Sequence, residues 1–412
     1  MCKPEDSESN LGNSMCARPP LEGIRILAFE QYGAGPWGTV HLGDLGAEIV
    51  KVEDPESGGD IARYVPPYTS KQDSVYFQSF NRNKKSITLN LRHPDSNNVL
   101  RRVVAGSDAV FNNLRGDLPS KLGLDYQSLG QVNPSIVCCS LSAFGRHGDR
   151  ATEPGYDYVI QGYAGWMSLT GEPESAPQRT GLSLVDYTGG AMAVLGMVSA
   201  ILRARETGKG CDVDVSLFDS ALAHLGYVGA WHLSRDFEPR RWADSSHPSQ
   251  VPSQILPTKD GLIVVMCAKE KFYVNLVTIM GSPNLASDPR FATFVQRMEN
   301  REELATLLKE LSSKKTTAEW LDLLRGQVPC GPVNSVPQAL SDPQVAEDEM
   351  VIEMDHPDLG TVRQLSSPIK ISDSRPSHRL APQLGAHTNE ILREYARATD
   401  AEITTWRRDG II

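Results

Sequence analysis

Strand-forming and helix-forming runs alternate across residues 24–140, and this rhythm constrains the chain more than any other feature of its sequence. Residues 24–29 read as a strand, 39–45 as a helix and 47–53 as a second strand. A strand at 86–91, a helix at 94–105 and strands at 108–111 and 135–140 continue the pattern. Parallel neighbours need a crossover, usually a helix, so the predicted fold class is α/β with a mainly parallel sheet. A long helix is predicted over 187–206, stopped by Thr207-Gly208-Lys209-Gly210, with a strand after it. The uncharged part of that run is shorter than the ~20 residues a bilayer needs and contains Gly189 and Gly190, so it reads as a core helix.

Prolines and serines at 247–253, and Pro329-Cys330-Gly331-Pro332, interrupt the rhythm. They place a small domain at 225–335, between a first segment at 1–224 with a polar arm at 1–19 and a return segment at 336–412. A strand at 261–267 and helices at 301–311 and 316–324 fall inside the small domain, the last opened by a capping box, Thr316-x-x-Glu319. The 41 Lys and Arg against 51 Asp and Glu leave a formal charge of -10, which disfavours nucleic acid as a partner. Seven cysteines without a C-x-x-C pair indicate a reducing compartment and no Cys-held metal. The N-terminus carries neither an apolar signal core nor an Arg-rich transit composition, so a cytoplasmic location is expected, or a mitochondrial matrix one had a transit peptide been removed.

Three groups of residues suggest chemistry. Gly33-Ala34-Gly35-Pro36-Trp37-Gly38 fits G-x-G-x-x-G, with Glu53 twenty positions on, as in a nicotinamide-dependent oxidoreductase; the plainer reading is a tight strand-to-helix turn. Arg82-Asn83-Lys84-Lys85, with Arg92, Arg115 and Lys121, could hold phosphates or form a solvated face. Asp186 precedes Gly189-Gly190 where the long helix begins. It reads as an N-cap, or as a nucleophile favoured by the helix terminus beside which the glycines leave room. His224 and His232 read as satisfied core groups, and no metal or Ser-His-Asp motif occurs.

At these residues the chain resembles the class III (CaiB/BaiF-type) coenzyme A transferases. The resemblance rests on residues 20–27, Ala34-Gly35-Pro36, residues 45–53 and 81–87, Thr207-Gly208-Lys209-Gly210, Cys330-Gly331-Pro332-Val333 and Leu384-Gly385-Ala386-His387-Thr388. It implies a Rossmann-like large domain, a smaller α+β domain and an interlocked homodimer. It implies catalytic Asp186, a supporting carboxylate at Asp157, and CoA contacts at Gln31, Ala34, Leu89, Arg92, Asn113 and Lys121. The activity implied is acyl-CoA:carboxylate CoA transfer through an aspartyl-CoA thioester and mixed anhydrides on a small (di)carboxylic acid. Coenzyme A is then substrate, with no tightly bound cofactor, metal, nucleic acid or membrane. Arg179 is a further expectation as a partner for the acid. The family's racemase branch carries His where this chain has Tyr156, and a phenol is a poor proton-transfer base at neutral pH. Gly33, which replaces a Gln of formyl-CoA transferase, and a segment 247–254 without a tetraglycine loop point away from oxalate.

Overall fold

The computed structural model describes residues 18–374 and 377–412; residues 1–17, which carry Cys2, Cys16 and most of the polar arm, lie outside the described residues. The strands β1 (Arg25–Phe29), β2 (Glu48–Glu53), β3 (Lys85–Thr88), β4 (Ala109–Asn112), β5 (Val137–Ser142) and β6 (Cys211–Ser216) form one sheet. All of its neighbours are parallel, in the order β3-β2-β1-β4-β5-β6. This is the doubly wound order, in which winding reverses between β1 and β4 and opens a crevice at their carboxyl ends. Every residue of β5 is buried, as expected of a parallel strand covered on both faces.

Helices α1 (Ala34–Asp44), α2 (Ser96–Val104) and α3 (Leu184–Thr207) cover this sheet. Helix α1 starts five residues before the predicted Thr39, because Pro36 is tolerated in a first turn. Gly208, with φ +71°, terminates α3 in the left-handed conformation that suits glycine. At 24 residues α3 is long and apolar enough to cross a bilayer by length and composition alone. Its inner face, including Val185, Ala193 and Met197, is buried, and the helix packs against α1, β5 and β6. Ile391, Leu392, Ile403 and Trp406, near the C-terminus, join Leu27, Val50 and Val103 in one apolar cluster.

The chain divides into two compact units: residues 1–160, 183–224 and 347–412, and residues 161–182 and 225–346. One boundary and one segment thus differ from the sequence expectation of 1–224, 225–335 and 336–412. The segment 161–182 groups with the second unit, to which Ser175 O is tied by Arg241 Nη1 at 2.5 Å and the Glu172 carboxylate by Asp244 N at 3.2 Å. The first unit resumes at Glu347 rather than at 336. Within the second unit, β7 (Ser253–Pro257), β8 (Leu262–Met266) and β9 (Cys330–Pro332) form an antiparallel sheet, order β9-β8-β7. Strand β7 was hidden by Pro252 and Pro257, which read as punctuation in sequence. Helices α4 (Arg301–Ser312) and α5 (Thr317–Leu324) follow, the latter with the expected capping box: Thr316 N donates to Glu319 Oε2 at 2.8 Å. His224 and His232 are exposed rather than core; their Nδ1 atoms meet Ser220 O and Phe237 O.

Candidate active site

The crevice between β1 and β4 is built by the residues that follow each strand. Asn113, just after β4, clamps the loop after β1: its Oδ1 accepts from Gln31 N at 2.9 Å and its Nδ2 donates to Gln31 O at 2.8 Å. The next residue, Tyr32, has φ +66°, and Asp60 Oδ1 holds its N–H at 2.9 Å. Asp60 is fixed in turn by the fully buried Lys51 of β2, Nζ to Oδ2 at 2.8 Å. Burial opposes the charge of Lys51, but Asp60, Glu30 and Glu53 outweigh it and hold the ammonium above its ordinary range. No local sequence pattern announced this buried Lys51–Asp60 pair.

Gly33 is the N-cap of α1, whose first turn carries no side-chain cap. A Cβ on Gly33 would lie 3.1 Å from Asp186 Oδ2, so glycine here keeps that oxygen open. Asp186 sits at the third position of α3, with Ser183 as N-cap. It therefore does not cap the helix. The side chain of Asp157 does so instead, with Oδ2 accepting from Val185 N at 2.8 Å and from Asp186 N at 3.2 Å. Asp186 is buried, and its pKa is pushed up to about 7, chiefly by desolvation and secondly by the Asp157 carboxylate. A carboxyl so shifted at the edge of a cavity is a candidate catalytic group.

The glycine pair has a different role from the one its sequence suggested. A Cβ on Gly190 would lie 2.5 Å from Ala34 O, and one on Gly189 would lie 2.5 Å from Leu217 Cδ2. Both glycines permit close packing of α3, against α1 and Leu217; the room beside Asp186 comes from Gly33. Gly190→Ala is expected to lower stability by about 1–3 kcal/mol through overpacking, read by urea denaturation, with wild-type stability as the contrary result.

Two cavities of about 450 and 460 Å³ share Gln31, Leu114 and Leu118. The first reaches Asp186, Gly33, Ala34, Asn113 and Tyr156; the second is lined by Leu89 and Arg92. The structure thus gathers Gln31, Ala34, Leu89, Arg92 and Asn113 around adjoining space within the range of ligand sites. Lys121 lines neither cavity; its Nζ binds Asp117 Oδ2 at 2.6 Å, while Arg115, which shares that carboxylate, lines the first. Sequence reasoning did not single out Tyr32 and Tyr76, whose rings lie 5.3 Å apart; Tyr156 stands edge-on to Tyr32 at 6.0 Å. These aromatics come from three separated segments, so no motif could reveal them.

Two sequence readings fail here. Glu53 cannot serve as a ribose-binding carboxylate of a dinucleotide site, since it is buried and held by Arg63 Nη2 at 2.7 Å, Ser86 Oγ at 2.6 Å and Asp60 N at 3.0 Å. The basic run does not form a phosphate site: Arg82 pairs with Asp44 at 2.6 Å and Lys84 with Glu30 at 2.6 Å, all four buried, while Lys85 bridges Glu48 and Glu390. Arg179 belongs to the second unit, where its Nη1 donates to Thr180 O at 2.9 Å.

Comparison with known proteins agrees with this architecture. The chain is 34% identical over 399 residues to the Homo sapiens succinyl-CoA:glutarate CoA-transferase, covering 95% of this chain and 90% of that protein. It is 32% identical over 384 residues to the Agrobacterium fabrum succinate–glutarate CoA-transferase, covering 92% and 96%. A solved CaiB/BaiF family protein from Brucella suis superposes with a TM-score of 0.78 at 35% identity, covering 92% of this chain and all of the other. A family profile described as CoA-transferase family III matches residues 21–388. With that match spanning most of the sequence, and with relatives above 30% identity along nearly their whole lengths, the chain belongs to CoA-transferase family III.

Proposed function

We propose that this enzyme moves CoA from an acyl-CoA to a short dicarboxylic acid, with Asp186 as the group that carries CoA between them. One observation carries the reading: the Asp186 carboxyl, shifted to about 7, opens on the cavity lined by Gln31, Ala34 and Asn113. The dicarboxylate preference draws on the relatives, whose names specify succinate and glutarate.

In the first step an Asp186 oxygen bonds to the donor's thioester carbon, the C–S bond breaks, and CoA thiolate leaves a mixed anhydride. The thiolate then attacks the Asp186 carbonyl carbon, releasing the donor acid and leaving an aspartyl-CoA thioester. The acceptor carboxylate displaces thiolate to form a second anhydride, and thiolate attack on the acceptor's acyl carbon yields the new acyl-CoA and restores Asp186. No net proton is consumed. The uncapped first turn of α1, beside Asp186 Oδ2, supplies N–H dipoles where negative charge develops. A carboxylate of raised pKa is also the better nucleophile once ionised.

Gln31 and Asn113 shape the mouth of the CoA site and Leu89 and Arg92 line its extension, while Lys121, paired with Asp117, stands outside both cavities. A homodimer is part of the proposal: Met192, Leu195 and Leu202 form an exposed apolar stripe along α3 that a second copy would cover. Sedimentation as a monomer would remove that element.

Incubation with succinyl-CoA and hydroxylamine is expected to convert the Asp186 side chain to a hydroxamate, and borohydride to reduce it to the homoserine alcohol, both read by peptide mass spectrometry. Glutaryl-CoA should appear when glutarate replaces the trap. Unmodified Asp186 together with normal turnover would end the covalent mechanism.

A further inference from the structure

The second unit holds a cavity of about 600 Å³ that the proposed mechanism does not use. It lies among the segment before β7, the start of β7 and helix α4. Two cations stack on Trp242 there: the Arg240 guanidinium is 4.0 Å from the ring centroid and the Arg301 guanidinium 3.7 Å. Arg301 also donates to Pro248 O at 2.6 Å, so it is held in place. Burial and the neighbouring Arg240 charge both pull its pKa down, a tension that an anion would relieve.

Two neutral donors complete the wall. Gln254 is 3% exposed and Ser253 8%, yet among the described residues Gln254 Nε2, Ser253 Oγ and the buried Trp242 Nε1 meet no hydrogen-bond partner from the protein. Buried donors without partners are uncommon in native structures, and three around one cavity call for an acceptor-rich occupant. Its charge is set by the remaining lining. Arg241 and Lys309 join Arg240 and Arg301, against the carboxylates of Asp244 and Glu302, which leaves an excess of two positive charges. Asp244 is already paired with Lys309 at 2.5 Å.

We propose that this cavity binds a short dicarboxylate dianion, with Arg240 and Arg301 supplying the charge and Ser253 and Gln254 the neutral hydrogen bonds to its oxygens. The inference rests on the reading that the enzyme acts on dicarboxylic acids, and it gives such an acid a second site in this unit, outside the cavity that reaches Asp186. A planar guanidinium fork suits a carboxylate, and a propionate-like monoacid would leave half of the excess charge unmatched.

Calorimetric titration of the full-length protein without CoA, using glutarate, propionate and inorganic phosphate, tests it. Glutarate is expected to bind, with propionate and phosphate weaker. Arg301→Gln and Gln254→Leu should each weaken glutarate about tenfold or more, the loss typical of a hydrogen bond to a charged group. Ser253→Ala and Gln254→Leu remove the donors Ser253 Oγ and Gln254 Nε2, which no described protein group accepts from, so these variants should melt at or above the wild-type temperature, which a purely structural role would not give. Glutarate binding unchanged in Gln254→Leu and Arg301→Gln, or phosphate bound as tightly as glutarate, overturns the assignment. The two readings separate cleanly. Gln254-dependent glutarate binding without CoA transfer sustains this site and removes the transferase proposal. Normal transfer by an enzyme whose calorimetric glutarate binding is the same with and without Gln254→Leu does the reverse.

Discussion

Asp186→Asn is expected to abolish CoA transfer, by about 10⁴-fold or more in kcat, and at the same time to make the protein more stable at pH 8. The activity loss follows from removing the nucleophile. The stability gain follows from the pKa: about 7 in the folded protein against 3.8 for a free aspartate. Between those values the folded state binds more protons than the unfolded chain, so stability falls as pH rises through that window. Above it the ionised, desolvated carboxylate costs roughly 2–4 kcal/mol, which a neutral isostere avoids. Thermal melts of wild type and variant should therefore diverge from pH 4 to pH 8, the variant ahead at the upper end. Retained turnover in both Asp186→Asn and Asp186→Ala, or melts that stay parallel across this range, would contradict the assignment. A destabilised group at a reacting centre is a common exchange of stability for function.

The second large effect is expected at Asp157. Asp157→Ala leaves the N–H groups of Val185 and Asp186 without their acceptor at the buried start of α3. That should cost about 2–3 kcal/mol and displace Asp186 enough to lower kcat by about 10²-fold. Asp157→Asn separates geometry from charge, because its amide oxygen can still accept from α3 while the negative charge is gone. In the wild type, kcat/KM should fall about tenfold per pH unit below about 7 as Asp186 takes up its proton. In Asp157→Asn the same limb should move to lower pH. The move should be only part of the total shift, since burial is the larger cause and Asp157 the smaller. Profiles measured from pH 5 to 9 decide this: a limb that stays in place, or moves to higher pH, refutes the coupling of the two carboxylates.

The strand and helix order was legible where burial is two-sided. β1 and β5 are parallel strands covered on both faces, so they carry apolar runs such as Ile26-Leu27-Ala28-Phe29 and Ile136-Val137-Cys138-Cys139. Gly208 and the Thr316/Glu319 box marked helix ends because capping acts between residues a few positions apart. Strand β7 escaped because prolines flank it, and residues 161–182 were misplaced because what holds them, Arg241 and Asp244, lies some seventy positions on.

At the candidate site the family resemblance pointed to Asp186, Asp157, Gln31, Ala34 and Asn113; four of them line one cavity and Asp157 holds the start of α3 beside it. What surrounds each group was decided by distant neighbours. Asp157, not Asp186, caps α3; Gly33, not Gly189-Gly190, clears space beside the carboxyl; Arg82 and Lys84 serve buried ion pairs instead of phosphates. By itself, then, the sequence determined the α/β order and the helix ends, because these depend on the pattern of near neighbours along the chain. Only the tertiary structure decided which charges are paired and which donors are stranded. Desolvation and Coulomb energy depend on separation in space, and the groups that set them, such as Lys51 with Asp60 and Lys84 with Glu30, are brought together only by folding.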